Sequence, residues 1–122
     1  MISARRFLLR AARDFVAAGF VVVALDAPSD QCNGMPDRFR TSPKHAEDVR
    51  KVIGYLKEKH RVSSLYLVGT GKGALSAAYL ASVFDDPAVE GVILTAVCPP
   101  PEFAGVDFAE IDDPVLIIHH LY

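Results

Sequence analysis

Apolar residues fall at helical spacing near the start of the chain. Phe7, Leu8, Ala11, Ala12, Phe15 and Val16 form one stripe, and Arg5, Arg6, Arg10 and Arg13 lie mainly off it. Gly19 then suits a left-handed helix stop. The run FVVVAL, residues 20–25, is continuous, apolar and β-branched, which predicts a strand covered on both faces, as in a parallel sheet. It ends at Asp26 and gives way to APSDQCNGMPDRFRT, whose Pro, Gly, Asn and Asp indicate a loop. Ser42 followed by Pro43 predicts a helix start, a capping hydroxyl and then proline at the first helical position. Val49, Val52, Ile53 and Leu56 make its inner stripe, with Lys51, Lys57 and Glu58 outward. SLYLVG, GVILTAV and PVLIIHH read as three further strands. Between the first two of these lies a small-residue helix over 72–84, with Leu75, Ala78 and Tyr79 inward. CPPPEFAGVDFAEIDD predicts a long loop with at most one short turn, stiffened at its start by Pro99, Pro100 and Pro101.

Helices alternating with continuous apolar strands predict an α/β fold. The expected architecture is a three-layer α/β/α arrangement, four mostly parallel strands with flanking helices, in one domain over residues 1–122. Right-handed crossovers place helices on both faces of such a sheet. Ligands of open α/β sheets sit at the carboxyl ends of the strands. There the chain offers Asp26, the turn from Gly69 to Gly73, Cys98, His119 and His120.

Composition narrows the function classes. At 122 residues, half of them apolar, the chain can bury a core. A net charge of −2 and a pI near 6.0 give no basic surface for nucleic acid. No run of about 18 uncharged apolar residues provides a membrane span. The basic stretch ARRFLLRAARD ahead of FVAAGFVVVAL imitates a secretory leader, but Asp14 interrupts it, Gly19 reads as a helix stop and FVVVALD as a strand. Cys32 and Cys98 match no metal or redox spacing and read as reduced thiols, so a cytoplasmic location is expected.

The turn in YLVGTGKGAL admits three readings. Gly69, Gly71 and Ala74 satisfy G-x-G-x-x-A between a strand and a helix, as a nucleotide-binding module would, with a pyrophosphate held at the helix N-terminus. That fingerprint normally opens its fold, whereas a strand–helix unit comes first here. Val97, Cys98 and Pro99 stand where its acidic residue is expected. A Walker loop fails, because Gly73 follows Lys72 and Tyr66 stands where its first glycine belongs. The second reading is a nucleophile elbow, G-x-S-x-G, with Gly69, Thr70, Lys72 and Gly73 in place, Gly71 where the nucleophile belongs, and the Lys72 backbone N–H placed as an oxyanion donor. The hydroxyls of Thr70 and Ser76 are near but off the apex. The third is structural: Gly71 lets strand and helix approach closely.

VVVALDAPSDQ, HAEDVRKVIGYLK, LYLVGTGKGALSAAYLA, GVILTAV and PVLIIHH together resemble the middle of an α/β-hydrolase, of the bacterial group with a DAPSD strand end and a GTS-x-G elbow. The resemblance implies a partial α/β-hydrolase fold, a central fragment lacking both ends, kin to ester and acyl hydrolases with a small acyl or ester ligand and no cofactor or metal. It places the nucleophile on Gly71, the catalytic acid beyond His120 and the catalytic histidine later still. Neither His45 nor His60 fits that role. The second oxyanion donor belongs to a loop ahead of the first helix. The implied protein is therefore an inactive relative, its elbow kept as architecture.

The resemblance also implies that a strand is missing between those ending at Asp26 and Gly69. Such a gap leaves unpaired edges, so self-association through strand edges, an interaction role, is a further expectation. In a compact chain the two strands are expected to close up. The remaining candidates have plainer readings. Asp26, Cys98, His119 and His120 could converge on a metal, though a polar strand end accounts for the histidines. Asp26 reads as a loop-ordering acid, Cys98 as a small buried hydrophobe and Lys72 as a solvated lysine at a helix start.

Overall fold

The computed structural model describes residues 4–31, 33–97 and 105–118. They belong to two compact units, 1–35 and 36–122.

The first unit contains helix α1, Ala4–Ala17. Its end follows from Gly19, whose φ of +98° is open to glycine at little cost. The Phe20 N–H donates to the Phe15 carbonyl at 3.0 Å, and the two rings meet edge to face at 6.0 Å. Residues 20–25, expected as the first strand, form none, and their apolar side chains are exposed, Val21 by 87 %. The apolar run states what a strand needs on its two faces. It does not supply a neighbour, and a lone strand has nothing to satisfy its backbone. The expected closing-up of strands does not occur, because residues 20–25 contribute no strand to the sheet.

The second unit is mixed α/β, with a three-stranded parallel sheet in the order β1-β2-β3 instead of the four strands expected. A short helix α2, Asp37–Arg40, and a long helix α3, Pro43–His60, precede β1, Leu65–Thr70. Helix α4, Lys72–Val83, leads to β2, Val89–Thr95, and a 3-10 turn, Phe108–Glu110, precedes β3, Val115–Ile118. The start of α3 is as its sequence dictates: Ser42 Oγ accepts the His45 N–H at 3.2 Å, with Pro43 next in line. A cap of this kind contributes about 1 kcal/mol.

Strand register explains the core. Leu67 aligns with Val92 and Gly69 with Leu94, so one sheet face presents Leu67, Val92 and Leu94. Helix α4 packs Ala74, Leu75, Ala77, Ala78 and Ala81 onto this face. Its small residues let helix and sheet approach closely. Helix α3 adds Ala46, Val49 and Ile53, which cluster with Tyr79, Leu80, Leu65 and Leu67. Leu75, Leu94, Val89 and Val92 are fully buried, each contributing about 1.5–3 kcal/mol of transfer free energy.

The opposite face corrects the expectation of helices on both sides. Tyr66 and Val68 of β1, and Leu116 and Ile118 of β3, are exposed there by 40–54 %. Within this unit the sheet and its helices therefore make two layers, and β1 pairs with β2 along one edge only.

Candidate functional site

The strand β1 turns into helix α4 within two residues, and the glycines make this possible for different reasons. A Cβ on Gly69 would lie 2.1 Å from the Gly73 carbonyl oxygen and 2.8 Å from the Ala74 nitrogen. No side chain fits there, because both obstacles are backbone. Gly71, at the apex, has φ +57° and ψ −124°, a combination that L-residues rarely adopt. A Cβ on Gly71 would meet nothing within 4 Å. The apex thus faces open space, and its constraint is dihedral, not steric. Gly73 is also unobstructed.

Hydrogen bonds fix the turn. The Gly71 N–H donates to the Thr95 carbonyl at 3.1 Å, tying the apex to the end of β2, and the Ala74 N–H donates to the Gly71 carbonyl at 3.0 Å. Thr70 and Thr95 are aligned across the two strand ends and both are buried. The Thr95 Oγ1 is buried without a hydrogen-bond partner among the described residues. Ala96, just beyond, has a φ of +49°, so β2 also ends in a strained residue beside the turn.

Helix α2 braces the start of α4. Lys72, expected to be solvated, pairs its Nζ with Asp37 at 3.0 Å. The carboxylate offsets the unfavourable position of a cation at a helix N-terminus. One turn further on, Arg40 Nη1 donates to the buried Ser76 Oγ at 2.9 Å. Partial burial lowers the Arg40 pKa from its ordinary value, against the opposing pull of Asp37. The Ser76 hydroxyl is therefore engaged in structure, away from the apex. These ties escaped sequence reasoning, which gave residues 37–40 to a loop. Pro36 followed by Asp37 was the available signal, since proline and an acid often open a helix.

Asp26 lies in the first unit, where its Oδ1 accepts the Ala27 N–H at 2.8 Å and orders the loop. Cys32, Cys98, His119 and His120 lie outside the described residues. His60 ends α3, its ring edge-on to Tyr55 at 5.6 Å. His45 is buried near the start of α3. A hollow of about 330 Å³ lies where α3 meets the segment after α4. Three of its charged groups are engaged within the protein. Lys57 grips Asp86 at 2.7 and 2.8 Å, and Arg50 donates to the Val83 carbonyl while covering the Phe84 ring. The Lys57 bond, with the Ala88 N–H, holds the Asp86 carboxyl below its ordinary pKa.

Among the described residues no group of three or more His, Cys, Asp or Glu is placed to hold a metal ion, and no helix is long and apolar enough to cross a membrane. No protein-family model matches the chain, and neither a curated protein nor a solved structure matches it.

Proposed function

We propose that the chain carries the nucleophile-elbow architecture of an α/β-hydrolase with the nucleophile replaced by Gly71, and that it is catalytically inactive. The observation that carries this reading is the apex itself. A strand, a residue at φ +57° and ψ −124°, and a helix follow one another directly, with Gly69 packed against Gly73 beneath them. An elbow needs this strained apex, which holds its side chain clear of strand and helix. At Gly71 the space for a side chain is open and the side chain is lacking. Related architectures act on esters and acyl compounds, and a small acyl or ester ligand is the corresponding binding partner. The nucleotide-binding alternative is less well supported, because the Gly71 and Ala74 amides are already used within the protein and Lys72 is held by Asp37.

The test is hydrolysis of p-nitrophenyl acetate and butyrate by the purified chain and by Gly71→Ser. Neither is expected to turn over above buffer. Among the described residues a restored hydroxyl has no histidine base, since His45 is enclosed near the start of α3 and His60 closes that helix. Saturable hydrolysis by the unmodified chain overturns the reading.

A second reading, self-association, is favoured by the edge of β1, unpaired among the described residues, and by one sheet face that exposes Tyr66 and Val68 of β1 and Leu116 and Ile118 of β3. Neither edge strand carries the charge or proline that guards such edges. Light scattering after size exclusion is expected to give a mass that rises with concentration, and Val68→Lys is expected to return it towards the monomer. A clean monomer of the unmodified chain at high concentration removes this reading.

A further inference from the structure

We propose that residues 36–41, built around α2, form a strap over the start of α4 that is released by acid through His45. Three contacts hold the strap. Asp37 pairs with Lys72, Arg40 donates to Ser76, and the buried Phe39 ring packs on the His45 ring at 5.3 Å. Its hinge is the α2–α3 junction, where Ser42 Oγ donates to the Phe39 carbonyl at 2.6 Å and accepts the His45 N–H.

His45 occupies this junction as a buried ring. It is 7 % exposed, and its Nε2 is buried without a hydrogen-bond partner among the described residues. It sits in the first turn of α3, where the helix dipole disfavours a cation. The charged groups that act on it are Arg40 from α2 and Asp48 from its own helix, whose Oδ1 pairs with Lys44 and whose Oδ2 is buried without a hydrogen-bond partner among the described residues. On α4, the groups held by the strap are Lys72, paired with Asp37, and the uncharged Ser76. Protonation would place a second cation beside Arg40 in a buried site, where the Asp48 carboxylate opposes Arg40 but makes no hydrogen bond to Nε2. Burial first, and Arg40 second, lower the His45 pKa, with Asp48 opposing them.

The direction with pH follows. Above the ordinary histidine value of 6.5 the ring is neutral whether the strap is closed or released, and pH has no effect through it. As pH falls through 6.5, the released state takes up a proton first and the equilibrium moves towards release. The closed state loses ground until its own lowered value is reached.

Hydrogen exchange of the whole chain at pH 7.5 and pH 5.5, corrected for intrinsic rates, reads this directly. Protection of amides 39–41, whose N–H groups bond to the Pro36 and Asp37 carbonyls, is expected to fall by up to about tenfold per pH unit below the ordinary histidine value. In His45→Phe, which keeps a ring against Phe39 and cannot be protonated, protection is expected to be independent of pH. Equal pH dependence in the variant overturns the proposal. So does an unchanged unmodified chain, or a rise in protection on acidification, which would mean that Asp48 captures the imidazolium. Should His45→Phe not fold, NMR titration of the unmodified chain decides. Amides 37–41 must titrate with the His45 ring at one midpoint below 6.5, and separate midpoints overturn the proposal.

Discussion

Gly69→Ala is expected to cost about 3 kcal/mol or more in equilibrium denaturation, enough to unfold a marginal domain of this size. The added Cβ would stand 2.1 Å from the Gly73 carbonyl oxygen and 2.5 Å from its carbon. A flexible side chain could swing away from such a contact. Here the obstacle is the first turn of α4, and moving it would lift Ala74, Leu75 and Ala78 from Val92 and Leu94. The strain would therefore spread into the core of the sheet-bearing unit. Gly73→Ala is the control. Its Cβ meets nothing within 4 Å, and the position lies in a helix, so stability should change by no more than about 1 kcal/mol. A Gly69→Ala protein as stable as the unmodified chain would show that strand and helix do not approach this closely.

The second large effect concerns Gly71 and has a different origin. Nothing obstructs a side chain there, so Gly71→Ser should fold. Its cost is dihedral, about 1–3 kcal/mol for an L-residue held at φ +57° with ψ −124°. The denaturation midpoint should fall with an unchanged slope, since the surface exposed on unfolding is the same. The two glycines thus separate the components of a tight strand–helix turn. Gly69 provides clearance and Gly71 provides handedness.

Much of the second unit was legible from sequence. Ser42 and Pro43 announce the start of α3 because capping is a local interaction between residues three apart. The β-branched runs that became β1, β2 and β3 are short, apolar and bounded by turn residues, and tight packing at the Gly69–Gly73 turn follows from the glycine spacing. The run at 20–25 carries the same local signal as those strands and yet forms none. Strand formation is decided by a partner, which local pattern cannot register. The sheet face bearing Tyr66, Val68, Leu116 and Ile118 was expected under helices for the same reason, since apolar strands imply cover without providing it.

The candidate site divides along similar lines. The turn and its apex were visible in YLVGTGKGAL, because glycine spacing encodes local geometry. The brace formed by Asp37, Arg40, Lys72 and Ser76 was not, because residues 35 and 36 positions apart meet there. A four-residue helix is also too short to show a period. The environment of His45 depends on that same brace. Its burial and unpartnered Nε2 could be known only once α2 was placed against α3.

The proposed elbow depends on the handedness of one residue, and exchanging alanine of either hand into position 71 by chemical synthesis tests it most directly. The dihedrals of Gly71 mirror an extended conformation common for L-residues, so they suit a D-residue. Gly71→L-alanine is predicted to lose about 1–3 kcal/mol. Gly71→D-alanine avoids that dihedral cost and is predicted to be the more stable of the two. An L-alanine protein as stable as the D-alanine protein, or more so, would contradict the strained apex and with it the proposed elbow.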